Sequence, residues 1–133
     1  MKATRAALGF RVKSGWATAV AIDGSIAAPH VCGSARINLS DPRQPETQQP
    51  RHAAFGKLET NEAKLKRRIA SVRRATKQSI VDLLKRYADD GCAIHYAGLV
   101  VGSVIDPGAI ANPHIRAHAL EGHLFRTTLE AAL

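Results

Sequence analysis

His114, His118 and Glu121 stand in the order His-x-x-x-His-x-x-Glu near the end of the chain. On an α-helix, positions i, i+4 and i+7 stack along one stripe, so two imidazoles and a carboxylate can converge there. Such a trio has two chemical uses. It suits a divalent metal of the zinc, iron or manganese type. It also suits proton transfer, because a carboxylate among apolar neighbours has a raised pKa and one beside a histidine can hold its tautomer. The structural alternative is a set of buried polar groups satisfied by the backbone or by loop residues such as His52 or Lys13. A catalytic or small-molecule site is expected to combine Lys13, His52, His118 and Glu121, and a metal to fall to His114, His118 and Glu121. The metalloprotease pattern HExxH is absent, so that chemistry has no support.

The helix that must carry the trio starts near Ala111 to Pro113, where proline suits the first turn, after a turn at Asp106-Pro107-Gly108. At about 100° per residue, Arg116, His123, Arg126 and Glu130 fall on a solvent side. His114, His118 and Glu121 fall opposite, among Leu124, Phe125 and Leu129. The pattern continues to Leu133 without a stop signal, as expected of a cut chain or of a tail docked on a partner.

Five further elements precede it. Apolar runs over 3–12 and 16–22, separated by Lys13-Ser14-Gly15, predict two strands and a short turn. The second run alternates poorly, as a strand covered on both faces would. A third strand is expected from about His30 to Leu39, completing an antiparallel meander. Residues 40–56, with Pro42, Pro45 and Pro50, predict an irregular connection whose end docks through His52–Phe55. Leu65, Ile69, Val72, Thr76, Ile80, Leu83 and Tyr87 then recur every three or four positions, which predicts a helix over 61–88. Thr60 or Asn61 can cap it, and Asp89-Asp90-Gly91 stops it. The apolar run over 92–101 predicts a buried central strand parallel to an earlier one.

The long helix offers a second kind of chemistry. Ten of the nineteen Lys and Arg lie between Lys57 and Arg86. Lys66, Arg67, Arg73, Arg74, Lys77 and Lys85 fall away from its apolar stripe. Such a face can track phosphates with salt-sensitive affinity, though without interleaved aromatics it does not suggest base stacking. The plain alternative is a solvated helix face. The formal charge of +8 attracts nucleic acid, anionic surfaces or acidic partners.

A length of 133 residues fits a single α/β domain, 1–133, and an apolar content of 45% is enough to build a core. Aromatics at 5% leave that core to Val, Ile, Leu and Ala. Cys32 and Cys92 form no CxxC pair, which removes a zinc ribbon or finger, and both read as small buried residues. The N-terminus lacks the layout of a signal peptide, and the stretch Gly91–Ile105 is shorter than a membrane span. A cytoplasmic protein without a membrane partner is expected.

The order strand-strand-strand-helix-strand-helix resembles the first part of a ribonuclease-H-like fold, the group that includes the RuvC-type resolvases. The likeness rests on Leu8-Gly9-Phe10-Arg11-Val12, then Lys13-Ser14-Gly15-Trp16-Ala17 leading into the second strand. The segments Gln49–Ala54 and His118–Arg126 also look like those of bacterial proteins from which no function carries over. The resemblance implies an acid on the first strand and another at the end of the fourth. This chain offers Arg11 in the first place, and His95 or Asp106 in the second. Two-metal nuclease chemistry needs clustered carboxylates, so nuclease activity of that type is not expected. The family's last strand and helix have no counterpart, as in an incomplete domain or one completed by a second copy. Three functions follow as expectations: a ribonuclease-H-like domain with a polar or metal site, a non-catalytic nucleic-acid-binding module, or a dimeric structural protein with an open sheet edge.

Overall fold

Alternation along the first strand decides which face of the sheet is covered. In β1 (Thr4–Lys13) Ala6, Leu8 and Phe10 are buried, while Arg5, Ala7, Gly9 and Arg11 are exposed. Successive side chains of a strand point to opposite faces, so this pattern marks a sheet covered on one side. β2 (Trp16–Gly24) repeats it: Ala17, Ala19 and Ala21 are fully buried and Thr18 and Ile22 are exposed. The expectation of a strand covered on both faces is therefore corrected. Trp16-Ala-Thr-Ala-Val-Ala-Ile22 hides its alternation because small alanines occupy the buried positions and apolar Val20 and Ile22 the outer ones.

The computed structural model describes residues 4–53, 57–100 and 111–133. β1 pairs antiparallel with β2, and β2 with β3 (Pro29–Asn38). The β1–β2 turn closes on Lys13 opposite Trp16. Its Gly15 has φ +82°, and a Cβ there would stand 2.7 Å from Gln48 Cγ, so both conformation and space call for glycine. The Gly15 carbonyl accepts from Leu39 N–H and Ser40 N–H, which docks the turn on the following loop.

That loop is tied to itself rather than irregular. Pro45–Gln48 form one 3-10 turn. Buried Thr47 accepts from the Asp41 N–H at 2.9 Å and donates to the Gln44 carbonyl at 2.6 Å.

α1 (Glu62–Asp89) starts at Asn61, whose side chain accepts from the Lys64 N–H, and ends before Gly91 at φ +84°. Val72, Thr76, Ile80, Leu83 and Tyr87 are buried against the sheet, as the period predicts. Ser79 and Thr76 hydroxyls donate to the Asn38 and Leu39 carbonyls and fix the helix to the end of β3.

β4 (Cys92–Val100) returns parallel to β1, and the sheet order is β3-β2-β1-β4. The expected central buried strand is thus an edge strand among the described residues. Residues 95–98 are exposed, Tyr96 at 70%. A continuous apolar run records only that side chains are apolar, and α1 and α2 supply cover for one face alone. α2 (Pro113–Ala132) buries Phe125 and Leu129 in the same core as Phe10 and Val72. The expected turn at 106–108, residue 101 of the fourth strand and Phe55 of the loop lie outside the described residues. No helix among the described residues is long and apolar enough to cross a membrane.

Candidate metal centre

Asn112 sets the phase of α2. Its side chain accepts from the His114 and Ile115 N–H groups at 3.0 and 3.2 Å, and Pro113 occupies the first helical position. The stripe His114, His118, Glu121 therefore runs obliquely from solvent into the core. Glu121 is fully buried, the His118 side chain is 44% exposed and His114 lies at the surface. Only the carboxylate meets the sequence expectation of an inward-facing trio. The two imidazoles form a rim above it.

The loop ahead of α1 brings His52 to that rim. Pro50 is buried, and the chain folds back on itself through an isolated bridge between His52 and Leu58, with Glu59 N–H donating to the Arg51 carbonyl at 2.8 Å. Arg68 of α1 fastens this fold. Its Nη1 donates to the Pro50 and His52 carbonyls, both at 3.2 Å, while its Nη2 pairs with Glu59. Nothing in the local pattern of α1 distinguishes Arg68 from its basic neighbours, so its role was not legible in the sequence.

Three rings and one carboxylate result. His52 Nδ1–H donates to Glu121 Oε2 at 2.9 Å, and the Arg51 backbone N–H donates to the same oxygen at 3.0 Å. His52 Nε2 lies 3.3 Å from His114 Nδ1, and His114 Nε2 lies 3.1 Å from His118 Nε2. His52, His114 and His118 offer one ligand atom each within 4.8 Å of one another. The sequence expectation placed His114, His118 and Glu121 as ligands. The geometry gathers His52, His114 and His118 instead and sets Glu121 behind His52. A carboxylate on the far nitrogen of an imidazole is the usual outer support of a metal-bound histidine.

The carboxylate of Glu121 is satisfied at one oxygen only. An ionised Glu121 only accepts, so His52 carries its proton on Nδ1 and presents a lone pair at Nε2. His118 Nδ1 lies 3.8 Å from Glu121 Oε1, beyond hydrogen-bond reach. Glu121 Oε1 is indeed buried with no hydrogen-bond partner. A second proton on His118 would cure this. Yet burial first, then the His52 and His114 rings, hold its imidazole below the ordinary value, with Glu121 offsetting part of the effect. A cation held by His118 through Nε2 would leave the proton of that ring on Nδ1, on the side of Oε1. His52 approaches His114 on its Nδ1 side and His118 approaches it on its Nε2 side, so an ion shared by the three rings would take only one of those His114 nitrogens.

The other expected site residues lie elsewhere. Lys13 is exposed at the β1–β2 turn, and no described contact joins it to Glu121 or the histidines. Arg11 stands beside Val100 across the β1–β4 pair, so the first-strand acid of the ribonuclease-H pattern has a cation in its place. Asp106 lies outside the described residues. Lys66, Arg67, Arg73, Arg74 and Lys77 are all exposed, and four of them, Lys66 apart, divide between two grooves. Arg67 and Arg74 join Lys64, Arg68, Ser71 and Gln44 around a cavity of about 490 Å³. Arg73 and Lys77 face α2 beside Leu124 and Thr128.

No family model matches the chain, and no curated protein or solved structure matches it.

Proposed function

We propose that this protein is a metal-dependent hydrolase of phosphoesters on a ribonuclease-H-like scaffold, with His52, His114 and His118 as ligands of a zinc-type ion. The observation that carries the reading is the His52–Glu121 pair together with the unpartnered Oε1, a carboxylate placed to orient ligand imidazoles and left short of one donor. Three histidines leave a fourth position for water, and an ion of this kind brings the pKa of such a water to about 7. The surface position of His114 and His118 keeps that place open to substrate.

Two features support the scaffold and the substrate class. The order β3-β2-β1-β4 with a parallel β1–β4 pair agrees with the ribonuclease-H-like topology. Arg68, which holds the His52 loop, also lines a groove with Lys64, Arg67, Arg74 and one acid, Glu46, and the excess of cations suits phosphate groups. Chemistry through clustered strand carboxylates, the usual mode of that fold, is not part of the reading. The test is metal analysis of the purified chain with hydrolysis of a model phosphodiester and of single-stranded DNA and RNA. Zinc-dependent turnover lost in His52→Ala and His118→Ala supports it. A chain that binds no zinc, cobalt or manganese overturns it.

A second reading is a non-catalytic nucleic-acid-binding module. What favours it is the exposure of Lys66, Arg67, Arg73, Arg74 and Lys77 along α1. Salt-dependent binding of nucleic acid that persists in the histidine variants, without turnover, would decide for it.

A further inference from the structure

We propose a second metal site, independent of the histidine centre, in which the Cys32 and Cys92 thiolates and the Asp23 carboxylate bind a soft divalent ion such as zinc or cadmium. These residues are far apart in sequence, yet one ligand atom from each lies within 4.8 Å of the others. Asp23 comes from the end of β2, Cys32 from β3 and Cys92 from the first residue of β4. Cys32 sits where the β2–β3 register shifts, between Val31 opposite Ile22 and Gly33 opposite Ala21. Such a bulge re-aims a side chain, here towards the end of the sheet where β4 begins.

The neighbourhood of Cys32 is tightly packed and buried. The Tyr87 hydroxyl is buried and has no hydrogen-bond partner, although Tyr87 is 2% exposed. Its ring crosses Gly33, next to Cys32, so closely that a Cβ on Gly33 would stand 2.7 Å from Tyr87 Cε1. Burial raises the Tyr87 hydroxyl, the Arg86 side chain beside it offsets part of that rise, and Cys32 and Cys92 add to it. A buried tyrosine hydroxyl ordinarily finds a partner. Asp23 has the outer support expected of a ligating carboxylate, since His30 Nδ1–H donates to its Oδ1 at 2.8 Å.

A bound divalent ion would displace the protons from both sulfurs. Thiolate ligands select soft ions, while the imidazole centre accepts a wider range. The ion would clamp the open end of the β2–β3 hairpin to the start of β4.

The test is cobalt and cadmium titration of the full chain, read by thiolate-to-metal charge-transfer absorption. The expected result is a band in the wild type, retained in His52→Ala/His114→Ala and lost in Cys32→Ser and Cys92→Ser. Asp23→Asn should weaken binding about 10–100-fold. Retention of the band in the histidine double variant separates this site from the histidine centre. No band in the wild type overturns the proposal, as does a band unchanged by both serine substitutions. Should either serine variant fail to fold, cadmium protection of the wild-type thiols against alkylation decides: protection supports the site and full reactivity overturns it.

Discussion

His52 Nδ1 and Glu121 Oε2 are 2.9 Å apart, although 69 residues separate them. The contact joins the loop ahead of α1 to the buried side of α2, and its carboxylate has no exposure to water. A buried charge is tolerated where it is paired and hydrogen-bonded. Glu121 meets that condition at Oε2 and misses it at Oε1.

Glu121→Gln should therefore weaken metal binding without abolishing it. The amide keeps the size of the side chain but cannot accept at both positions. Loss of an outer support of this kind costs about 10–100-fold in affinity. His118→Ala should cost more. Cobalt or zinc affinity measured by competition with a chelator checks both, and equal affinities for wild type and Glu121→Gln would count against the assignment.

Acid should release the ion and destabilise the fold together. The folded protein holds His118 below the ordinary value of 6.5, so it prefers the neutral ring. The stability this brings is present above the unfolded pKa and is lost as pH falls through the depressed folded value. Protons also compete with the ion for the same nitrogens, with the same sign. Thermal midpoint and cobalt affinity, followed from about pH 8 to about pH 5, should both decline. Tighter binding at the acid end would contradict the site.

Arg68→Met should loosen the His52 loop while leaving α1 helical. The variant keeps the length of the side chain but removes donors to the Pro50 and His52 carbonyls and the pair with Glu59. Hydrogen bonds to charged groups are worth about 1.5–3 kcal/mol each, so the loop should lose order. The expected outcome is unchanged circular dichroism with reduced metal affinity. A variant that binds metal as the wild type does would remove Arg68 from the centre.

Phe125→Ala should destabilise the protein by about 3–5 kcal/mol, because the ring is fully buried between α2 and the sheet. Ile115→Ala, on the same helix but 54% exposed, should stay within about 0.5 kcal/mol. Urea midpoints of the two variants give the comparison directly. Similar midpoints would place α2 outside the core.

If α1 contacts nucleic acid, each Lys or Arg removed from it should reduce the salt slope of log affinity by about 0.7–0.9. Because the basic residues divide between two grooves, Arg67→Ala/Arg74→Ala and Arg73→Ala/Lys77→Ala should differ in effect. Titrations at several salt concentrations identify the groove in use. Identical slopes for both double variants and the wild type would leave α1 a solvated surface.

Some of this was legible residue by residue. The 3.6-residue period of Leu65–Tyr87 predicts α1 and its buried stripe, because a helix must cover its apolar side. The same period places Glu121 on the inner side of α2. β4 misled for a physical reason: Cys92–Val100 is apolar on both faces, and hydrophobicity alone does not show whether a neighbour exists to cover them. β2 misled in the same way, through alanines that blur its alternation. His52 as a ring partner of His114 and His118 carries no local signal, since loops have no period.

By itself the chain determined its elements, the one-sided amphipathicity of its long helix and the spacing of His114, His118 and Glu121, all of which follow from short-range stereochemistry. Only the tertiary structure decided what joined that helical stripe. His52 arrives because Pro50 is buried and Arg68 holds its loop, and Cys32 meets Asp23 and Cys92 because a strand bulge turns it. Contacts across such sequence separations depend on how the packed layers close over one another, which no local pattern encodes.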